Sequence, residues 1–308
     1  MSIHDTRTHR HRTVEVAVPG GTLTVAVWDP VDDLVDAPTA LLVHGITASH
    51  LAWSFVVSQL PGVRLVAPDL RGRGRSEHVD GRAGMAVHAD DLALVLDALD
   101  IDRVPVIAHS MGAFVAVVLA HRHADRVSRL VLIDGGLPLD LPRDADPDAL
   151  VSGLLGPTAA RLSMRFADDE EYLEFWRGHP AFCGHWSEEL ERYLRYDLVD
   201  DGHGALRPVT SYRVMIEDTL DSNMGEAVPA ALAALRHPTT LLTAPRGYRD
   251  EPPGLYAPGY LSRLLAHYPG IAHTAVLGVN HYTIIMAPAG ARVVGSVAAQ
   301  AITRMSER

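Results

Sequence analysis

The stretch "VPVIAHSMGAFVAVVLAHRH", residues 104–123, decides the fold. Its first half is a continuous apolar, β-branched run. Its second half carries apolar residues at helical spacing. Between them stands Ala108-His109-Ser110-Met111-Gly112. A buried strand that turns tightly into a helix explains the pattern. Small residues beside the serine let the backbone strain and neighbouring chains approach. A serine at such a turn either caps the helix or reacts. The nucleophile elbow, G-x-S-x-G between strand and helix, has this form. Here alanine replaces the first glycine.

Working outward, apolar runs alternate with helical patterns. "TVEVAV" and "TLTVAVW" flank "PGG" and read as a β-hairpin. "TALLVHG", "VRLVAPD", "VPVIAHS" and "VSRLVLIDGG" read as strands, with helices over "SHLAWSFVVSQL", "GMAVHADDLALVLDAL" and "MGAFVAVVLAHR". The alternation predicts an α/β fold with a mostly parallel central sheet covered on both faces. After Gly136 the rhythm stops. Residues 137–230 hold half of the aromatics, with charges at helical spacing and no strong strand. The rhythm resumes with "HPTTLLTAP", "YLSRLLAHY", "IAHTAVLG" and a closing helix over "AGARVVGSVAAQAITRM". The expected organisation is one α/β core, residues 1–136 and 231–308. A helical cap, 137–230, is inserted after the sixth core strand.

Composition narrows the function. The chain has 308 residues, 47% hydrophobic and 21% charged, with a net charge of −11. An acidic balance with no basic face argues against nucleic acid. One cysteine, Cys183, makes neither an internal disulfide nor a zinc site and suits a reducing compartment. The polar, basic start has no apolar signal region, and "FVAVVLA" is too short to span a bilayer. A cytoplasmic protein without membrane contact is expected, open to homo-oligomerisation. His9 and His11 read as part of a frayed terminus.

Ser110 needs partners if it is to react. A hydroxyl is a poor nucleophile until a base takes its proton, and histidine has the right pKa. His281, in "LGVNHYTIIM" after the last expected strand, is placed for that role. "LLVHGIT" ends a strand at His44-Gly45. The N–H of Ile46, with that of Met111, would form an oxyanion hole. His44 itself reads as ordering the loop.

With these pieces in order, the chain resembles the α/β-hydrolase superfamily along nearly its whole length. The resemblance rests on "LLVHG", "VAPDLRGRGRS", "IAHSMGAF", "LVLID" and "GVNHYT". It implies a Ser-His-Asp triad and leaves Asp69, Arg71 and Ser76 as structural. The family order is serine, acid, histidine, and two aspartates qualify. Asp134 ends the strand after the elbow helix, 24 residues beyond Ser110; a minority of the family places its acid there. Asp250 follows the later strand, the family's usual place, yet comes about three residues late; the usual position falls near Gly247. Asp134 is the preferred acid and Asp250 the alternative.

The implied reaction is hydrolysis of a carboxylic ester or lactone through an acyl-enzyme, with no metal or organic cofactor. The aromatic insertion suggests a hydrophobic, even aromatic, small-molecule substrate. Trp176, Phe182, Trp186, Tyr193 and Met215 are candidates to line its pocket. Two other readings stay open: a carbon–carbon bond hydrolase of a diketone ring-cleavage product, and a ligand-binding receptor of this fold with little turnover. Epoxide hydrolases and dehalogenases are disfavoured, because they carry aspartate where Ser110 stands.

Overall fold

Pro19 and Gly20 join two long antiparallel strands, β1 (His9–Val18) and β2 (Gly21–Pro30). A computed structural model describes residues 8–32, 37–141 and 146–303 of the chain, so the polar start at 1–7 lies outside it. The remaining strands follow as β3 (Thr39–Val43), β4 (Arg64–Pro68), β5 (Val104–His109), β6 (Val127–Ile133), β7 (Leu198–Asp200), β8 (Leu206–Pro208), β9 (Thr239–Thr243) and β10 (Ile271–Ala275). Eight of them form one sheet in the order β1-β2-β4-β3-β5-β6-β9-β10. From β4 to β10 every neighbouring pair is parallel, while β2 runs antiparallel to β4.

A parallel sheet must be covered on both faces. Helices Met85–Ala98 and Met111–Arg122 cover one face, with Leu92, Leu96, Val115 and Leu119 completely buried. Helices Ser54–Val57 and Pro288–Thr303 cover the other, through Val56, Ala291, Val294 and Ala298. This second layer continues into Phe166, Tyr172, Trp176 and Leu190 of the segment between β6 and β9.

That segment carries the helices Pro147–Leu162, Asp169–Arg177, Glu188–Tyr196, Tyr212–Met224 and Ala227–Ala233. Each of the first four begins at an Asp or Ser whose side chain accepts from a backbone N–H of the first turn. Two features differ from the sequence reading. β7 and β8 pair as a short antiparallel ribbon inside the segment. Helix Ala227–Ala233 crosses the expected boundary at 230/231 and buries Val228 and Leu232 in the core layer on Met111–Arg122.

His9 and His11 are also corrected. Both are buried on β1, where His9 Nε2 donates to Val63 O at 3.0 Å and the His11 ring packs against Trp28 and His50. Alternation along the strand turns both side chains to one face.

Candidate active site

β5 stops at His109, and Ser110 takes φ 55° and ψ −125° before the helix Met111–Arg122 begins. That is a strained conformation for a residue with a side chain. Close neighbours hold it. A Cβ on Gly112 would lie 2.3 Å from Val43 O, and one on Gly135 would lie 2.2 Å from Ser110 O. Glycine is therefore required at both places. The Ser110 N–H donates to Ile133 O at 2.9 Å, tying the turn to β6.

Three side chains meet at the carboxyl ends of the strands. Ser110 Oγ–H donates to His281 Nε2 at 3.0 Å, and His281 Nδ1–H donates to Asp134 Oδ2 at 2.7 Å. This direction of bonding sets the histidine tautomer. Asp134 is fully buried at φ 47°, just past β6. Its N–H donates to Leu242 O at 2.7 Å, and its Oδ1 accepts from Ala244 N–H at 3.1 Å. The carboxylate is thus locked between the ends of β6 and β9. His281 is fixed through its backbone as well: its N–H donates to Arg246 O at 3.0 Å, and its C=O accepts from His109 Nε2 at 2.9 Å. Burial, then the nearby His281, pushes His109 well below the usual histidine range. His109 is therefore a neutral donor near pH 7.

Asp250 does not reach His281. It accepts from Arg246 Nη1 at 3.0 Å and from Asn280 Nδ2 at 3.1 Å. Asn280 Oδ1 accepts from the N–H groups of Tyr282 and Thr283, so Asp250 braces the loop beside the histidine.

The other side of Ser110 is built by "HGIT" and "DLRGRGRS". His44 Nδ1–H donates to Gly45 O at 2.8 Å and His44 Nε2 accepts from Leu70 N–H at 3.0 Å. Burial pushes His44 down to about 4, so it works as a neutral brace. Burial opposes ionisation of Asp69, yet His50 and His44 hold its carboxyl well below the usual range. It accepts from His50 Nδ1 at 2.9 Å and from Tyr196 of the inserted segment at 2.7 Å. Arg71 makes a two-pronged pair with Asp91, and Ser76 Oγ accepts from Thr24 N–H. The fully buried Arg73 donates from Nε to Ile46 O at 2.8 Å and from Nη1 to Asp218 of helix Tyr212–Met224 at 2.5 Å, with Nη2 3.7 Å from Met111 Sδ. Among the described residues, neither the Ile46 nor the Met111 N–H makes a hydrogen bond.

A cleft of about 30 Å³ opens on Ser110 and His281. Ile46, Thr47, Ala48, Tyr193, Tyr248, Tyr282 and Met286 also line it. Of the five residues expected in a pocket, Tyr193 is there. The other four lie elsewhere. Trp176 is buried inside the segment against Tyr172 and Phe175, with Arg161 over its ring. Phe182 packs behind Tyr282. Trp186 lies under Arg177 and donates to Glu191. Met215 is buried with Leu162, behind Ile46. Their apolar surface is used to hold the segment together and seat it on the core. The sequence reading passed over His109, Tyr248 and Tyr282. Two of these adjoin the serine and the histidine, a signal that was there to use.

Serine, histidine and aspartate in hydrogen-bonded series, at the ends of a mostly parallel eight-stranded sheet, are the arrangement of the α/β-hydrolase fold. Comparison with known proteins agrees. A family model described as alpha/beta hydrolase fold matches residues 38–171. Lipase LipV of Mycobacterium tuberculosis is 36% identical over 205 residues, which is 58% of this chain and 77% of the lipase. N-formylmaleamate deformylase of Pseudomonas putida is 31% identical over 215 residues, 69% of this chain and 72% of the deformylase. An uncharacterized Mycobacterium tuberculosis protein is 35% identical over 100 residues, 32% of this chain and only 29% of that protein's length. A hypothetical protein from Pseudomonas aeruginosa PAO1, solved by crystallography, superposes with a TM-score of 0.71 at 26% identity, covering 94% of this chain and 98% of its own. The chain belongs to the α/β-hydrolase family. Among the described residues, no helix is long and apolar enough to cross a membrane.

Proposed function

We propose that the protein is a serine hydrolase that cleaves a carboxylic ester or lactone of a hydrophobic small molecule. The observation that carries this reading is the buried relay from Asp134 through His281 to Ser110. Ser110 Oγ attacks the carbonyl while His281 Nε2 takes its proton. Asp134 holds the tautomer and stabilises the imidazolium. The tetrahedral oxyanion rests on the Ile46 and Met111 N–H groups, which are free of other partners among the described residues. One such donor is worth about 3 kcal/mol in the transition state. Arg73 contacts both donor residues and so steadies the hole. The imidazolium then protonates the leaving alcohol. Water, activated by the same histidine, releases the acid.

The inserted helices serve as a cap in this reading. Tyr193 and Tyr196 reach from them to the cleft and to Asp69. A cleft of about 30 Å³ is far smaller than the roughly 300–1,000 Å³ of small-molecule pockets, and in this reading Tyr193 moves with the cap to admit substrate. The deformylase relative supports a second reading, hydrolysis of an N-acyl bond by the same machinery.

The test is intact-mass labelling with a fluorophosphonate, followed by turnover of esters, lactones, N-formyl amides and diketones. One adduct on the parent protein and none on Ser110→Ala is expected, with the highest kcat/KM on an ester or lactone. No adduct on either would sink the reading. A preference for amides or diketones would move the substrate class and keep the serine.

A further inference from the structure

The loop after β9 carries an unassigned group into the cleft. Tyr248 lines it together with Ser110 and His281. Its ring stands edge-on to the His281 ring with centroids 4.4 Å apart. Burial first, then Tyr282 and Asp134, pushes the Tyr248 hydroxyl above the usual tyrosine range. It is a neutral O–H donor throughout the working range of a serine hydrolase.

The loop is held in register with the base. His281 N–H donates to Arg246 O, and Asp250 joins Arg246 to Asn280, the residue before His281. Gly247 N–H donates to Glu251 O at 2.8 Å. Tyr248 is thus clamped at both flanks and positioned before substrate arrives.

Its side of the site follows from strand order. Ser110 ends β5. Ile46 follows β3 on one flank of β5, while Tyr248 follows β9 and His281 follows β10 on the other. Ile46 and Tyr248 therefore enter the cleft from opposite flanks of the strand that carries Ser110. The side next to His281 is where the leaving oxygen must receive its proton.

Resting on the serine-hydrolase reading, we propose that Tyr248 is a further catalytic residue whose hydroxyl donates a hydrogen bond to the leaving-group oxygen. The bond offsets negative charge on that oxygen as the carbon–oxygen bond breaks. The proton itself still comes from His281, and Tyr248 keeps its own. Such help matters most for poor leaving groups, whose oxygen carries more charge before it is protonated.

Tyr248→Phe keeps the ring and its packing on His281 and removes only the hydroxyl. The experiment measures kcat/KM for parent and variant on esters of one acid, from 4-nitrophenyl through phenyl to simple alkyl alcohols. A hydrogen bond to a charged oxygen predicts a loss of about ten- to a hundredfold on alkyl esters and under about threefold on the 4-nitrophenyl ester. The dependence on leaving-group pKa steepens accordingly. A uniform loss across the series, or none, overturns the proposal while leaving the hydrolase intact. If the parent hydrolyses no ester and takes no fluorophosphonate, the hydrolase reading fails first and this assignment with it.

Discussion

The loops after β6 and β9 leave neighbouring strand ends, and each offers a carboxylate. The β6 loop begins in a closed turn, buried from Asp134 to Leu137. Asp134 is fully buried, receives a backbone N–H from the start of the β9 loop, and abuts Gly135, which leaves no room for a side chain against the elbow. The β9 loop opens to solvent almost at once, at Pro245 and Arg246. Asp250 is partly exposed and paired with Arg246, itself half open to solvent. Water competes for every bond an exposed carboxylate makes, so its geometry is weakly fixed. A carboxylate held by backbone donors in a dry site is preorganised and needs no reordering as the imidazolium forms. If the acid comes from β6, as proposed, the β9 loop is left to bring Tyr248 to the cleft.

Breaking the rigid loop is expected to have the larger effect on folding. Gly135→Ala forces a methyl group to 2.2 Å from Ser110 O. The elbow or the β6 loop must then shift, at a cost of about 4 kcal/mol or more. Chemical denaturation measures this, and parent-like stability would show that the β6 loop is not rigid.

Acid is expected to sharpen the contrast through the buried groups around the strand ends. His44 is held down to about 4 by burial, against an unfolded value of 6.5. As pH falls below 6.5, the unfolded chain binds a proton that the folded chain refuses. Stability therefore declines from pH 6.5 to about 4, by on the order of 3 kcal/mol from this residue. Burial opposes the charge on Asp218, but His88 and Arg73 hold its carboxyl to about 2, against 3.8 unfolded. Its stabilisation is lost as pH falls through that lower range. A melting temperature flat between pH 7 and 4 would contradict this.

How much was legible follows from how local each signal is. Ser110 announces itself because strand, turn and helix are contiguous. His281 sits in a short motif after the last strand. The choice between Asp134 and Asp250 depends on how far a loop without periodicity bends, which sequence spacing does not record. Trp176, Phe182, Trp186 and Met215 were expected in the pocket because they are large and apolar. An amphipathic pattern marks the buried face of a helix without saying whether a cleft or a neighbouring helix covers it. Tyr248 lies in "PRGYRDEPPG", where no period marks a face. The β7–β8 ribbon is only three residues per strand, too short for a period-two pattern.

The central claim is that the acid comes from β6 and not from β9. The most direct measurement is the second-order rate of fluorophosphonate labelling of Ser110 in the parent, Asp134→Asn and Asp250→Asn, since it reads serine activation without knowledge of the substrate. The expected result is a fall of about 10³- to 10⁴-fold for Asp134→Asn, which removes the partner that sets the His281 tautomer, with Asp250→Asn within about tenfold of the parent. Parent-like labelling of Asp134→Asn together with collapse of Asp250→Asn would contradict the account.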